Sequence, residues 1–363
     1  MKKLVFITDT YPPDLCGVAD YVELVAMALS TTYEVHVITR CIDIPRKTVT
    51  NGVVVYEVLH GKAYIFKAIH LIKSIQPDII DVQLSYSSAS QLHKRNLFTI
   101  VNPIIFHLST RSIKRCLTVH ELTTYLNDKP SLLRATYRKV RDRAQTQGYH
   151  YYFCTDTTYL SFFKNKKNKS FLQSFSNIRS TRSHNLINSK NLVFFGTIAP
   201  NKNLDALCNI FNELHYLDPN VHLYVVGGIV AGFKEKFSNL TKCLPPGGWT
   251  YTDYLDNNAL AILLDKCSYA IFPFSITNKN ASVLAMLVNR LVVIAECESL
   301  PVYADYGNNF YPVHNIDSNK VYSIIKATQN TETYFPDNGE LLKDHVSKRC
   351  NVYQHLLSIK NQL

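Results

Sequence analysis

Short apolar runs alternate along this chain with longer stretches in which apolar residues recur every three or four positions. The short runs have the length of buried strands, and the longer ones have the period of amphipathic helices. In the first half, strand-like runs cover 3–9, 34–39, 53–59, 78–84, 116–121 and 150–155. Helical spacing covers 18–30, with Tyr21, Leu24, Val25 and Leu29 on one side, and also 62–75 and 131–146. Residues 163–190 break the pattern with polar, basic segments. The alternation then restarts, with strands at 191–198, 221–226, 269–274 and 291–295 and helices at 202–214, 257–266 and 282–288. A last helical stretch at about 340–361 has no strand after it.

Strands separated by helices predict βαβ units and parallel sheets. The expected fold class is α/β, with two Rossmann-like domains. The first spans 1–170, a linker 171–190, the second 191–335, and a C-terminal helix 336–363. Open α/β sheets bind ligands beyond the carboxyl ends of their strands. Two such domains make an inter-domain cleft the expected site.

Composition narrows the classes. A chain of 363 residues with 46% hydrophobic and 18% charged residues can bury two cores. No apolar run reaches the roughly 18 residues of a bilayer span, since 97–108 is interrupted by Asn102, Pro103 and His107. The N-terminal run is too short for a signal-peptide core. The nine cysteines are odd in number and lack C-x-x-C spacing, so neither a disulfide framework nor a zinc site is expected. These features predict a cytoplasmic protein. The net charge of +11 asks for an anionic partner. No recognition motif accompanies it, which argues against nucleic acid.

Four strand-to-helix loops carry candidate chemistry. In the first, Tyr11-Pro12-Pro13-Asp14-Leu15-Cys16-Gly17-Val18-Ala19-Asp20-Tyr21, Gly17 stands at a helix start. It serves either as a turn glycine with positive φ or as backbone open to an anion. In the second, a buried strand delivers His120 and Glu121 to its carboxyl end. In the third, Gly196 and Thr197 lead through Pro200 to Lys202, and a Lys there opposes the helix dipole unless an anion is bound. Gly227-Gly228 ends the next strand. In the fourth, Lys279-Asn280-Ala281-Ser282 precedes a helix, and Ser282 is a reasonable N-cap.

In order and spacing these loops resemble bacterial glycosyltransferases of family 4, from about residue 4 to 300. The first loop looks like that family's opening Tyr-Pro-Pro-x-x-Cys-Gly-Val-Ala-Asp-Tyr, the second like T-x-His-Glu, and the third like F-F-G-x-I-x-P-x-K-G-L. Phe175-Ser176-Asn177-Ile178 resembles an inter-domain S-N-I-P, and 248–266 the strand–loop–helix near the nucleotide base. The resemblance implies a GT-B fold and transfer from a nucleotide diphosphate-sugar, with retention of configuration. It implies no metal and no cofactor beyond that co-substrate. His120 and Glu121 would be catalytic. Gly17, Gly196, Thr197, Lys202, Gly227, Lys279, Asn280 and Ser282 would bind the donor. The pattern departs at Thr197, where many relatives carry Arg, and at Asn203, where Gly is usual. Two glutamates eight apart would fall at Ile276 and Leu284 and are absent, as in a subset of the family whose fourth loop this one resembles.

Arg134, Arg138, Lys139, Arg141 and Arg143 crowd one predicted helix with Leu132, Leu133, Tyr137 and Val140. That is either a solvated face or a basic amphipathic helix on an anionic membrane. The implied setting is bacterial surface-polysaccharide assembly on a lipid-linked acceptor at the inner membrane face. The rival readings are a non-catalytic GT-B partner with a decayed donor site and a nucleotide-sugar epimerase on the same fold.

Overall fold

A computed structural model describes the chain apart from residues 15, 42, 62–63, 86–97, 126–129, 179–186, 279, 298–301 and 360–363, and the side chains of 98–99. The chain forms two compact units. One comprises Met1–Gln173 with Leu342–Leu363, and the other Ser174–Leu341.

The first unit is built on an eight-stranded sheet. Its strands are β1 (Lys3–Ile7), β2 (Glu34–Arg40), β3 (Arg46–Thr50), β4 (Val53–Leu59), β5 (Ile79–Leu84), β6 (Lys114–Val119), β7 (Tyr151–Cys154) and β8 (Lys169–Phe171). They lie in the order β3-β4-β2-β1-β5-β6-β7-β8, and only the β3–β4 pair is antiparallel. The helices are α1 (Gly17–Leu29), α2 (Tyr64–Ile75), α3 (Phe98–Ser109), α4 (Leu132–Thr146) and the single turn α5 (Tyr159–Phe162).

The sequence pattern misses four of these elements, the single turn α5 among them. β3 has all five residues exposed, so it carries no apolar signal. β8 lies inside the stretch that breaks the alternation, and its residues are only half-buried. α3 holds Pro103 in its interior, a residue that ordinarily ends helices. Its Phe106 is buried in the α2-side core with Ile65, Ile69 and Ile80.

The second unit has a six-stranded sheet, wholly parallel in its pairings, in the order β11-β10-β9-β12-β13-β14. Its strands are β9 (Leu192–Phe195), β10 (Leu223–Val226), β11 (Trp249–Thr252), β12 (Tyr269–Phe272), β13 (Val292–Glu296) and β14 (Phe310–Val313). Its helices are α6 (Leu204–Leu217), α7 (Lys234–Thr241), α8 (Asn257–Leu264), α9 (Ala281–Val288) and α10 (Ser318–Thr328). Each central strand is buried on both faces, which is why the runs read as near-continuous apolar segments.

The last helix, α11 (Asn338–Ser358), contains the unit boundary between Leu341 and Leu342. The expected domains leave a separate helix at 336–363, but most of this helix packs into the first unit. Asn338 exchanges hydrogen bonds with the Ser176 backbone in the second unit, both at 2.8 Å. From His345 onward the partners lie in the first unit. Successive strand residues point to opposite faces, so Asp81 and Gln83 of β5 share one face, while Ile80 and Leu84 turn to the other. Arg349 meets Asp81 with Nη1 at 2.6 Å from Oδ2, and both side chains are fully buried. The Tyr353 hydroxyl donates to the same oxygen at 2.5 Å. Oδ1 accepts from Gln83 Nε2 at 2.7 Å and from Thr118 Oγ1 at 2.8 Å. Arg349 also donates through Nη2 to the Tyr21 hydroxyl of α1 and through Nε to His345 Nε2.

Removing one partner of a buried ion pair leaves a charge stranded and costs about 3–5 kcal/mol. Arg349→Met should therefore lower the stability of the first unit by about that amount in urea unfolding. A loss under about 1 kcal/mol, in the range of exposed ion pairs, would show that the pair is dispensable.

Candidate functional site

The candidate residues fall into two groups, one per unit, each beyond the carboxyl ends of parallel strands. In the second unit, Gly196 directly follows β9 and Gly227 directly follows β10, with φ of 131° and 140°. A Cβ on Gly227 would stand 2.1 Å from the Gly196 carbonyl oxygen, and one on Gly196 would stand 2.7 Å from Ser282 Oγ. The two strand ends are thus packed too closely for a side chain on Gly227, and one on Gly196 would have to displace the Ser282 hydroxyl. Thr197 is exposed beside them.

Asn280, not Ser282, is the N-cap of α9: its side chain accepts from the Val283 amide at 3.4 Å. Ser282 is the second residue of the helix, so its hydroxyl is not the cap. Lys279 lies outside the described residues. Ile276 and Leu284 are buried. The places where carboxylates would fall are therefore filled with apolar side chains.

Lys202 ends a short turn before α6. Its ammonium sits 4.0 Å from the centroid of the Phe274 ring. Among the described residues it makes no ion pair or hydrogen bond. Burial lowers its pKa, because a desolvated ammonium loses water that only the ring face replaces. The following Asn203 has φ 48° and ψ 49°. Few residues other than Gly and Asn take that left-handed conformation readily. The Asn203 amide also donates to the Pro273 carbonyl at 2.8 Å, tying the turn to the end of β12. The departure from Gly at this position thus preserves the turn.

In the first unit, Gly17 is the first residue of α1. Its φ is not positive, and among the described residues a Cβ there would meet nothing within 4 Å. The turn-glycine explanation fails at this position, and packing against the described residues does not require Gly. Asp14, three residues earlier, pairs with Arg40 at the end of β2 at 2.9 Å and anchors the loop.

His120 follows β6 and is buried. Its Nε2 lies 3.0 Å from Gln83 Oε1, and its ring meets Tyr21 edge-on with centroids 4.7 Å apart. The His120 amide donates to Leu84 O at 2.9 Å. Glu121, half-buried, likewise joins its amide to Leu84 O. Gln83 and Asp81 were not singled out from sequence, and Tyr21 was read only as part of the first loop and of the α1 face. The signal was present in β5, where Asp81 and Gln83 alternate with Ile80 and Val82 inside a strand otherwise read as core.

The basic helix also changes. Arg138 and Arg141 are buried, so they do not belong to an outward basic face. The exposed side of α4 carries Leu132 and Leu133, each 84% exposed, with Val140, Arg134, Lys139 and Arg143.

Residues 189–328 match the family model described as Glycosyl transferases group 1. The matched segment runs from β9 to α10 and contains Gly196, Thr197, Lys202, Gly227, Asn280 and Ser282, whereas Gly17 and His120 lie outside it. No curated protein matches the sequence. Among solved structures, the chain is similar to sucrose-phosphate synthase from Thermosynechococcus elongatus (TM-score 0.68, 11% identity, covering 98% of this chain and 100% of that one). It is also similar to HepE of Anabaena in complex with UDP and glucose (0.64, 11%, 99% and 100%). A third is WaaG, a glycosyltransferase involved in lipopolysaccharide biosynthesis (0.61, 12%, 99% and 96%). At such identities the likeness establishes the fold, a two-domain GT-B architecture. Among the described residues no cluster could hold a metal ion, and no helix is long and apolar enough to cross a membrane.

The two kinds of glycine should respond differently to a methyl group. Gly227→Ala combines an unfavourable φ with a backbone clash and should destabilise the second unit by at least about 1–3 kcal/mol. Gly17→Ala should leave stability unchanged or raise it by up to about 1 kcal/mol. Chemical unfolding of both variants checks this, and equal losses would contradict it.

Proposed function

We propose that this chain transfers a sugar from a nucleotide diphosphate-sugar to an acceptor hydroxyl, with retention at the anomeric carbon and without a metal ion or cofactor. The bond from the anomeric carbon to the diphosphate breaks, and the bond from that carbon to the acceptor oxygen forms. The hydroxyl proton leaves with the nucleoside diphosphate.

The observation that carries this reading is the Lys202 ammonium, partly desolvated over Phe274 and without an anionic partner among the described residues. It stands in a segment tied to the end of β12, in the same unit as the side-chain-free surface of Gly196 and Gly227 and the start of α9. A lysine, close-packed backbone and a helix N-terminus together suit a diphosphate. HepE with UDP and glucose, and starch synthase IV of Arabidopsis thaliana with ADP and acarbose, support this ligand class. In this reading Asn280 and Ser282 line the same anion site, with Thr197 at its rim. His120 and Glu121 act beside the transferred sugar, and Gly17 leaves room for the ligand.

A competing reading is a non-catalytic partner of the same fold. Buried Ile276 and Leu284 favour it, since no carboxylate can orient the sugar from those positions. A thermal-shift panel of UDP-, GDP- and dTDP-sugars, followed by a transfer assay with the donor that binds, separates the two. Lys202→Ala should weaken donor binding about ten- to a hundredfold, the worth of a charge-assisted hydrogen bond. His120→Ala should lower turnover about a hundredfold with donor affinity little changed. Binding without transfer to host lipid extracts would favour the non-catalytic partner. Unchanged affinity in Lys202→Ala would remove that residue from the site.

The setting we propose is bacterial surface-polysaccharide assembly at the inner membrane face, on a lipid-linked acceptor. The exposed leucines and cations of α4 support contact with anionic lipid. Vesicle binding should fall with salt, and also in Lys139→Gln/Arg143→Gln or Leu132→Ser/Leu133→Ser. Equal binding to neutral and anionic vesicles would overturn this placement.

A further inference from the structure

The polar atoms behind His120 fix more than its position. The Asp81 carboxylate pairs with Arg349, and its oxygens accept. Gln83 Nε2 lies 2.7 Å from Asp81 Oδ1. That contact decides which way the Gln83 amide points, because the flipped amide would set its own oxygen against a carboxylate oxygen. Gln83 Oε1 therefore faces His120 Nε2, at 3.0 Å. A carbonyl oxygen only accepts, so the hydrogen in that bond sits on Nε2.

We propose that Gln83 is a positioning residue that holds neutral His120 as its Nε2–H tautomer, with Nδ1 as the ring nitrogen that gains and loses a proton. The Tyr21 ring packs edge-on against the imidazole, and the Tyr21 hydroxyl accepts from Arg349 Nη2 at 2.6 Å. Tautomer and ring orientation thus depend on one network anchored by α11. The consequence for chemistry is specific. Neutral His120 offers Nδ1 as an acceptor for a hydroxyl, and only the imidazolium form donates from Nδ1 to a phosphate oxygen. The tautomer follows from the network alone; its importance for turnover rests on the proposed role of His120 in transfer.

The test uses the full chain labelled with 15N-histidine. Long-range 15N–1H spectra are recorded well above the ordinary histidine pKa of about 6.5, so that rings are neutral. With thirteen histidines, a His120→Gln spectrum identifies the signal of interest. The wild type should show Nε2–H alone. Gln83→Leu should show both tautomers, whereas Thr118→Val, which removes a different donor from the same Asp81 oxygen, should match the wild type. An Nδ1–H or averaged signal in the wild type overturns the proposal, as does an unchanged signal in a folded Gln83→Leu. Should Gln83→Leu fail to fold by circular dichroism, the wild-type spectrum decides alone. In the transfer assay Gln83→Leu should lower kcat about tenfold with KM nearly constant, the worth of one neutral hydrogen bond. A shifted tautomer with unchanged kcat would remove His120 from the chemistry while leaving Gln83 as the residue that sets its tautomer.

Discussion

The first unit depends on one buried ion pair, Asp81 with Arg349. Desolvating two charges is expensive, and their attraction offsets the cost only when the remaining hydrogen-bonding capacity is filled. Here it is filled closely. Asp81 accepts from Gln83, Thr118, Arg349 and Tyr353, and Arg349 also reaches Tyr21, Thr118 and His345. Burial raises the Tyr353 and Tyr21 hydroxyl pKa values, the latter to about 12, so both remain donors. His345 is driven the other way by burial and by the neighbouring Arg349, which keeps the ring neutral. Its Nδ1 then donates to the Gln173 carbonyl at 2.9 Å, and Nε2 accepts from Arg349 and Tyr21. A set of groups that would each be costly alone thus becomes a specific clasp between the last helix and the sheet. Through Gln83 the same clasp reaches His120.

The second unit is organised by close approach of backbone. Gly227 stands against the Gly196 carbonyl with no side chain between the two strand ends, and Gly196 meets α9 through the Ser282 hydroxyl. Such a surface presents main-chain dipoles, and Lys202 supplies a charge that burial has already partly desolvated. Asn203 shows how a departure from a family pattern can leave the physics intact. The backbone needs a left-handed residue, and Asn both takes that conformation and bonds to Pro273.

By itself the sequence determined the class of the architecture. Buried parallel strands produce apolar runs and the helices between them produce a 3.6-residue period, so most strands and helices are legible to within a few residues. Among the elements it hid were some whose signal is weak or misleading: β3 because it is exposed, β8 because it lies in a polar stretch, and α3 because Pro103 reads as a breaker. The strand-end glycines and Lys202 were also visible, since loop chemistry is local. Tertiary structure decided the rest. It showed that Gly17 fills no packing need among the described residues, that Asn280 caps α9, and that Arg138 and Arg141 are buried. It also brought Asp81 and Arg349, 268 positions apart, into contact. Sequence periodicity reports which face of an element is buried, but not which distant side chain that face meets, and the environment of His120 is made of such long-range meetings.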